Sequence, residues 1–597
     1  MEDKVLIPRR RVLGLGMALA GLCAGCAVLP GGDADSTAGS EPAASGAADA
    51  AKAPAQTGVV HLRDNPELYT VYDDSGVVTM YLTVSRGNDS ENTNHSWAQI
   101  NHYSVYDYEA MGVPRYQVNA ILQVGDENGP LSGELGYGVE APNATVQIRG
   151  QTSSRYDQKN YKIKLKKNKG TWRGQRTIAL NKHMGEGLRF RNKMAYDLIK
   201  GIDQMMGLRT QFVHLYVKDL TESTSGVFED YGLYTQVEQL NKTALKAHGL
   251  DAGGQLYKVN FFEFYRYEDS IKLTTDPAFD QSMFDYYLEV KGNNDHTKLI
   301  EMLDKLNDES QPMEELLQTC FDPENIAYWM AFQLLTGNAD TQNRNMYLYS
   351  PLNSSTWYLL DWDNDGMLRR KEREYLRFTD SESWEWGISN YWGNVLFRRC
   401  LQTASFREQL DTAVRELHDF MNPDRIEEMA AHYRTITEQY VWQMPDVMYL
   451  PVTKPQYDAV AAALPEEIEE NYQQYPEGYH SPMPFHIGTP TVDNGILQLG
   501  WDASYDFNAE AVSYTVELAR DYLFRQVLYR EENVVLPLAQ TTAPGAGQYF
   551  VRVRATNASG YTQDAFDYYV IDSGKVYGVK CFYIQPDGSV VEDTYEE

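Results

Sequence analysis

From Val59 onward the chain alternates short apolar runs with Gly, Asp and Asn turns. VVTMYLTVS (77–85), YQVNAILQV (116–124) and ATVQIRG (144–150) carry the period of two that predicts strands. In GLRFRNKMAYDLIK (187–200), Leu188, Met194, Leu198 and Ile199 fall at helical spacing instead. FVHLYVKD (212–219) and YGLYTQVE (231–238) predict a hairpin, and HTKLIEMLDKL (296–306) a helix. PENIAYWMAFQLLTG (323–337) reads as a second helix, with Asp322 as its N-cap and Pro323 at its first position. A strand pair, MYLYS (346–350) and WYLLDWD (357–363), precedes a mostly helical stretch to about residue 475. From Ser481 the pattern changes again. ILQLGWDASYD, VSYTVELA, NVVLPL, GQYFVRVRATN and AFDYYVID, spread over 496–572, predict an antiparallel sandwich.

With 597 residues, the chain is long enough for roughly two to four units. Bases at Arg9, Arg10 and Arg11 precede an apolar run from Val12 to Leu22 that is too short to span a bilayer. Ala24-Gly25-Cys26 then resembles the lipobox of bacterial lipoproteins, which implies diacylation of Cys26 after cleavage. Cys23 fits less well because it would leave Leu22 where a small residue belongs; an ordinary cleaved signal or a retained anchor is the plainer reading. The Arg10-Arg11 pair leaves Sec and twin-arginine export both open. Residues 31–57 are almost purely Gly, Ala, Ser, Pro, Asp and Thr and read as a disordered tether. The expected organisation is therefore a signal peptide (1–26), a linker (27–58), a central domain (59–475), a sandwich (481–573) and a C-terminal extension (574–597).

The formal net charge of -31 repels nucleic acid and anionic membranes, so a nucleotide ligand needs local bases or metal ions. Beyond the first segment only Cys320, Cys400 and Cys581 remain, neither a disulfide framework nor a Cys/His metal spacing.

Candidate chemistry concentrates in NADTQNRNMYLYSPLNSSTWYLLDWDNDG (338–366). Asp340 and Asn345 stand in the D-x-x-x-x-N relation of protein kinases, where the Asp accepts the acceptor hydroxyl's proton and the Asn holds magnesium. After the strand pair come Asp361 and Asp363, where a second metal-binding Asp belongs. Upstream, IRGQTSSRYDQKNYKIKL (148–165) forms strand, Gly/Ser turn and basic strand, a shape suited to covering phosphates. Arg149, Ser154, Lys159, Lys162 and Lys164 are its candidate phosphate contacts, and Glu238 lies where two strands lead toward a nucleotide hinge. Each lysine alone is equally well a solvated surface base, and Arg149 with Glu238 a buried ion pair.

The ordered set Arg149-Gly150 to Ser154, Lys159-Asn160-Tyr161, Arg191 to Tyr196, Tyr231 to Tyr234 with Glu238, Asn338-Ala339-Asp340 and Asp361-Trp362-Asp363 resembles the spore coat protein H (CotH) kinases. The resemblance runs over roughly residues 60–475. It implies an α+β, atypical protein-kinase-like central domain that transfers the ATP γ-phosphate to Ser/Thr of an exported protein. Asp340 would be the base, Asp363 a metal ligand and Mg²⁺ or Mn²⁺ the ion. Ordinary kinase signatures are missing: no G-x-G-x-x-G, V-A-I-K or A-P-E occurs, and Asn338-Ala339 stands where His-Arg is usual. The phosphate lysine therefore stays open among Lys159, Lys162 and Lys164. The all-β C-terminal region resembles a fibronectin type III module, with Trp501 as its core tryptophan and 549–555 as its penultimate strand.

Three other readings compete. Asp361, Asp363, Asp365, Gly366 and Glu372 spell an EF-hand loop, so Ca²⁺ competes for the same aspartates, although STWYLL reads as a strand where an EF-hand needs a helix. Asp340 could simply pair with Arg344. A non-catalytic surface adhesin with a degenerate kinase-like domain is the rival of another class. Indoles in SESWEWGISNYWGN (381–394) suit sugar stacking or, more simply, packing.

Overall fold

The computed structural model describes residues 59–376, 383–571 and 574–593, so the signal, Cys26 and the linker lie outside the described residues. No helix among the described residues is long and apolar enough to cross a membrane.

The first lobe is built on β1 (Val77–Ser85), β2 (Val118–Asp126), β3 (Gly129–Pro130), β4 (Ala144–Arg149), β5 (Asn160–Leu165), β6 (Thr177–Asn181), β7 (Thr210–Asp219) and β8 (Glu229–Glu238). Their order is β1-β7-β8-β6-β5-β4-β2-β3, and β1 also pairs with β2, so the sheet closes on itself. Closure removes the open edges that an isolated sheet would expose. Inward positions alternate as the pleat requires: Leu82, Leu122, Ile148, Tyr161, Ile163, Leu180 and Leu215 fill one buried core with Trp97 and Val105. Trp97 and Val105 belong to two short helices, Trp97–His102 and Val105–Met111, that begin with the capping boxes Ser96/Gln99 and Ser104/Asp107.

The second lobe is largely helical around a small sheet of β9 (Gln255–Val259), β10 (Leu288–Val290), β11 (Met346–Ser350) and β12 (Tyr358–Asp361), in the order β10-β9-β11-β12. Its axis is the helix Pro323–Thr336, buried on nearly every side. The Asp322 side chain accepts from the amides of Glu324 and Asn325, Pro323 occupies the first turn, and Gly337 ends the helix in the left-handed region at φ 60°. A side chain at 337 would also run into the Asn471 amide at 2.9 Å, so glycine is required there on two counts. The helix Arg191–Ile199 packs on β7 and β8, with its outward face against the second lobe.

The last region contains β13 (Thr491–Asp493), β14 (Ile496–Gly500), β15 (Val512–Ala519), β16 (Val527–Val534), β17 (Leu538–Thr542), β18 (Gly547–Asn557), β19 (Thr562–Asp564), β20 (Tyr568–Ile571), β21 (Gly574–Tyr577), β22 (Val579–Ile584) and β23 (Val590–Glu592). The β13-β14-β17 sheet and the sheet β16-β15-β18-β22-β23 share one core of Leu497, Leu499, Val516, Val551, Val553 and Phe582. Two boundaries differ from the sequence expectation. NVVLPL is not one strand: Pro537 has no N–H for the ladder, Val535 and Leu536 are exposed, and the run closes β16, turns at 535–537 and opens β17. Residues 574–593 are no separate extension, because β22 pairs along β18 and buries Phe582 and Ile584 in the shared core.

Candidate active site

Gly337 turns the chain out of its helix into Asn338 and a short turn, Ala339–Thr341, that carries Asp340. The Asp340 carboxylate is half-exposed. Both its oxygens are oriented from the same loop: Oδ1 accepts from Arg344, and Oδ2 accepts from Asn345 Nδ2 at 3.0 Å. The pairing with Arg344 weighed from sequence therefore exists, and it leaves the carboxylate fixed at the surface. Register brings the next part of the site. Met346 lies opposite Asp361, so one step further sets Asn345 across from Trp362 and beside Asp363.

Asn345 and Asp363 both sit in the left-handed region, at φ 56° and 60°, and His183 joins them at 50°. Such backbone is costly for residues with a side chain and persists only where its surroundings hold it. Those holds are visible. The Asp363 N–H donates to Tyr196 Oη at 3.2 Å, and the Asn364 N–H donates to Asn192 Oδ1 at 3.2 Å, both from the helix Arg191–Ile199. Below them, Asp361 is buried and accepts from Gln333 Nε2 at 2.6 Å and from the Asn364 amide. Burial lifts its carboxyl to about 7 despite those bonds, and the Asp363 charge adds to the rise.

Asp363 faces a different environment. Burial and the neighbouring Asp365 push its carboxyl up to about 6, while His183, Arg149 and Lys258 work against that rise. Asp365 is lowered by its contact with His183, whose Nδ1 lies 3.4 Å from Asp365 Oδ2. The Asp365 side chain retains 42% exposure, so this end of the cluster meets solvent. Arg149 lies 5.9 Å from the Trp362 ring, and Asp363 is the strongest of the neighbouring charges acting on it. Lys258 of β9 is lowered by burial and feels Glu289, Asp363 and Arg149. Cations from the barrel and the second lobe thus converge on Asp363, and His183 holds Asp365 beside it.

The remaining sequence candidates separate by face. Arg149, Lys162 and Lys164 share the outer face of the barrel, because Gln147 pairs Lys162 and Arg149 pairs Asn160. Lys159 and Ser154 do not join them. Lys159 Nζ donates to the Ser154 carbonyl at 2.7 Å, and Ser154 Oγ accepts from the Val105 N–H at 3.0 Å, which fastens the turn to a barrel helix. Glu238 pairs in register with Ile178 and therefore lies on the inner face, opposite Arg149. There its partners are Arg209 at 2.5 Å and His248 at 3.1 Å, which hold its carboxyl at about 2 against the opposing effect of burial. Lys258 and His183 were missed from sequence, and Asp365 entered there only through the calcium-loop spelling. Lys258 and His183 carried no local signal.

The calcium-loop reading does not match the geometry. The chain enters through the strand β12, and Glu372 is turned to Arg191, to Arg369 at 2.9 Å and to the Gly187 N–H at 3.1 Å. Among the described residues no group of three or more His, Cys, Asp or Glu side chains gathers to hold a metal. A magnesium ion carried by a nucleotide does not require such a cage, since phosphates and water complete its shell. Asp363, flanked by Arg149 and Lys258 and followed by Asp365, fits that demand.

No curated protein matches the chain. Among solved structures, the Shewanella oneidensis MR-1 toxin–antitoxin complex of HipA and HipB with its operator DNA matches at 11% identity, covering 50% of this chain and 58% of that one. Its TM-score is 0.23, too low to carry an argument, and this chain spans less than two thirds of that chain. The family model described as CotH kinase protein matches residues 146–475, more than half of the chain and the region that holds Arg149, Asp340 and Asp363. The chain belongs to the CotH kinase family.

Proposed function

We propose that this chain is a protein kinase that moves the ATP γ-phosphate to a Ser or Thr hydroxyl of an exported protein. The carrying observation is the convergence of Arg149 and Lys258 on Asp363, with His183 3.4 Å from the neighbouring Asp365 and Arg149 5.9 Å from the Trp362 ring. Asp363 and Asp365, with Asn345 beside them, would hold a divalent cation, Mg²⁺ or Mn²⁺, which supplies charge neutralisation to the bound triphosphate. Arg149 and Lys258 bind the phosphate oxygens, and Lys162 extends that basic face. Asp340, oriented by Arg344 and Asn345, accepts the hydroxyl proton as the acceptor oxygen bonds to the γ-phosphorus and ADP departs. The charges sit ready before substrate arrives, so little reorganisation is needed at the reacting centre. Asp361, buried and bonded to Gln333 and Asn364, positions the loop and is not a first choice for the ion.

The leader and Cys26 support export and a lipid anchor on the outer side of a bacterial membrane, and the tether keeps the domains clear of it. The three-stranded sheet facing a longer one, with Trp501 packed 5.3 Å from Tyr514, supports a fibronectin type III-like module. The test is phosphoryl transfer from γ-labelled ATP to a Ser/Thr protein acceptor with Mg²⁺ and with Mn²⁺. Incorporation should require Asp340 and Asp363; none from the intact chain with either ion would leave the scaffold reading standing.

A further inference from the structure

The terminal sandwich does not hang free of the kinase-family domain. Trp384 of the second lobe packs at 5.4 Å from Phe566 and 5.5 Å from Tyr577, and Trp392 at 5.2 Å from Tyr505. Tyr577, on β21, donates its hydroxyl to Glu385 Oε1 at 2.6 Å. Glu385 in turn lines a small cavity together with Asn338, Ala339, Trp386 and Asn390, and Asn390 Nδ2 donates to the Ala339 carbonyl at 3.0 Å. A short chain of contacts therefore runs from the β20–β21 hairpin to the turn that carries Asp340.

Strand periodicity puts one more side chain on that path. Lys575 lies two residues before Tyr577 on β21 and so shares the face that meets Glu385. Its ammonium lies 4.3 Å from the centre of the Tyr568 ring, and among the described residues no carboxylate stands within ion-pair distance of it. Glu385, Arg344, Asp340 and Arg373 are the charges that act on it. Asp340 is thus held by Arg344, and the hairpin that reaches Glu385 brings a second cation to its neighbourhood, in a chain whose net charge is -31. The quoted catalytic loop itself holds no lysine (338–366), so this ammonium is a contribution only the sandwich makes.

We propose that the β20–β21 hairpin forms part of the acceptor-binding face, and that Lys575 selects acceptor segments whose Ser or Thr is flanked by acidic residues. This rests on the kinase reading above. A peptide carboxylate beside the target hydroxyl would pair with the Lys575 ammonium while the hydroxyl meets Asp340. Local positive charge on an acidic protein steers an acidic segment to this one place.

The experiment uses the full chain with ATP and Mg²⁺, and two Ser peptides that differ only in having Asp or Asn at the flanking positions. The wild type should favour the Asp peptide in kcat/KM, and Lys575→Gln should lower that preference about tenfold. Lys575→Arg should restore the preference, and Lys166→Gln, a lysine bonded to Asn119 of β2 at 2.8 Å, should keep it. The thermal midpoint of each variant separates misfolding from a lost contact. Tyr577→Phe, which releases the hairpin from Glu385, should lower the preference in part. An unchanged preference in Lys575→Gln, or an equal loss on both peptides, overturns this inference and leaves the kinase reading intact. Transfer to neither peptide by the wild type overturns the reading beneath it.

Discussion

Asp363 and Glu372 lie close together in the chain, one on the loop after β12 and the other in the helix Arg370–Leu376. Their surroundings are opposite in kind. Glu372 is closed in by Arg191, Arg369 and the Gly187 amide, and Arg191 also reaches Glu186 at 2.8 Å, so the carboxyl stays below its ordinary range although burial opposes this. Asp363 is lifted to about 6 by burial and by Asp365, and the nearby cations do not cancel the rise. The first cluster is a strut that ties the helix Arg191–Ile199 to the second lobe. In the second, like charges are held together where an external cation and an anionic ligand would relieve both. A buried charge whose counter-charges the fold supplies is architecture; one left short of them is a binding site.

The largest expected effect breaks that contrast directly. Asp363→Ala should cut phosphoryl transfer by about a thousandfold, as loss of a preorganised electrostatic group does. Its thermal midpoint should hold or rise, because the variant removes a strained, repelled carboxylate. Initial rates and thermal unfolding of the same preparation decide this, and a variant that is simply unfolded would place Asp363 with the struts. Glu372→Ala is the mirror case. Removing one of the two buried carboxylates that hold Arg191 should cost about 3–5 kcal/mol in urea unfolding. A loss under about 1 kcal/mol would erase the distinction.

A smaller effect sharpens the assignment of cations. Lys258→Gln should raise the KM for ATP about tenfold, whereas Lys159→Gln, whose ammonium holds the Ser154 carbonyl, should leave that KM within about twofold. Equal effects would mean that the face a lysine occupies does not decide its role.

The smallest effect concerns a third charged cluster, at the inner mouth of the barrel. His248 lies between Asp64 at 2.6 Å and Glu238 at 3.1 Å, with Arg209 and Tyr69 alongside. Burial disfavours its charged ring, but the two carboxylates win and raise it to about 9. A histidine raised in the folded state gives stability that is complete below its unfolded value near 6.5 and is lost as pH climbs through 9. Stability should therefore fall by about 1–2 kcal/mol between pH 6.5 and 9. In His248→Gln that slope should flatten, as measured by urea unfolding across the window.

Much of the site was legible because it is local. Asp322, Pro323 and Gly337 mark the ends of one helix by capping chemistry alone, and Asp340, Asn345 and Asp363 belong to one turn and hairpin whose register is short-range. Face assignment fared less well. Lys162 and Lys164 could be put on one face by counting in twos, but which face met the second lobe, and that Glu238 lay on the other, depended on how the barrel closed. The contrast between Asp363 and Glu372 could not be read either, since both fit the same calcium-loop spelling.

The sequence by itself determined most of the elements, the strand pair beneath the aspartate loop, the change to a β-rich module and the family resemblance, because propensity, capping and period act over a few residues. The tertiary structure alone decided the rest. It closed the barrel by setting β1 parallel to β7, and it carried Lys258 and His183 from distant segments to Asp363 and Asp365. It also seated a hairpin of the sandwich beside the turn of Asp340. Each of these joins residues far apart in the chain, and such contacts form only when separate hydrophobic faces are buried together.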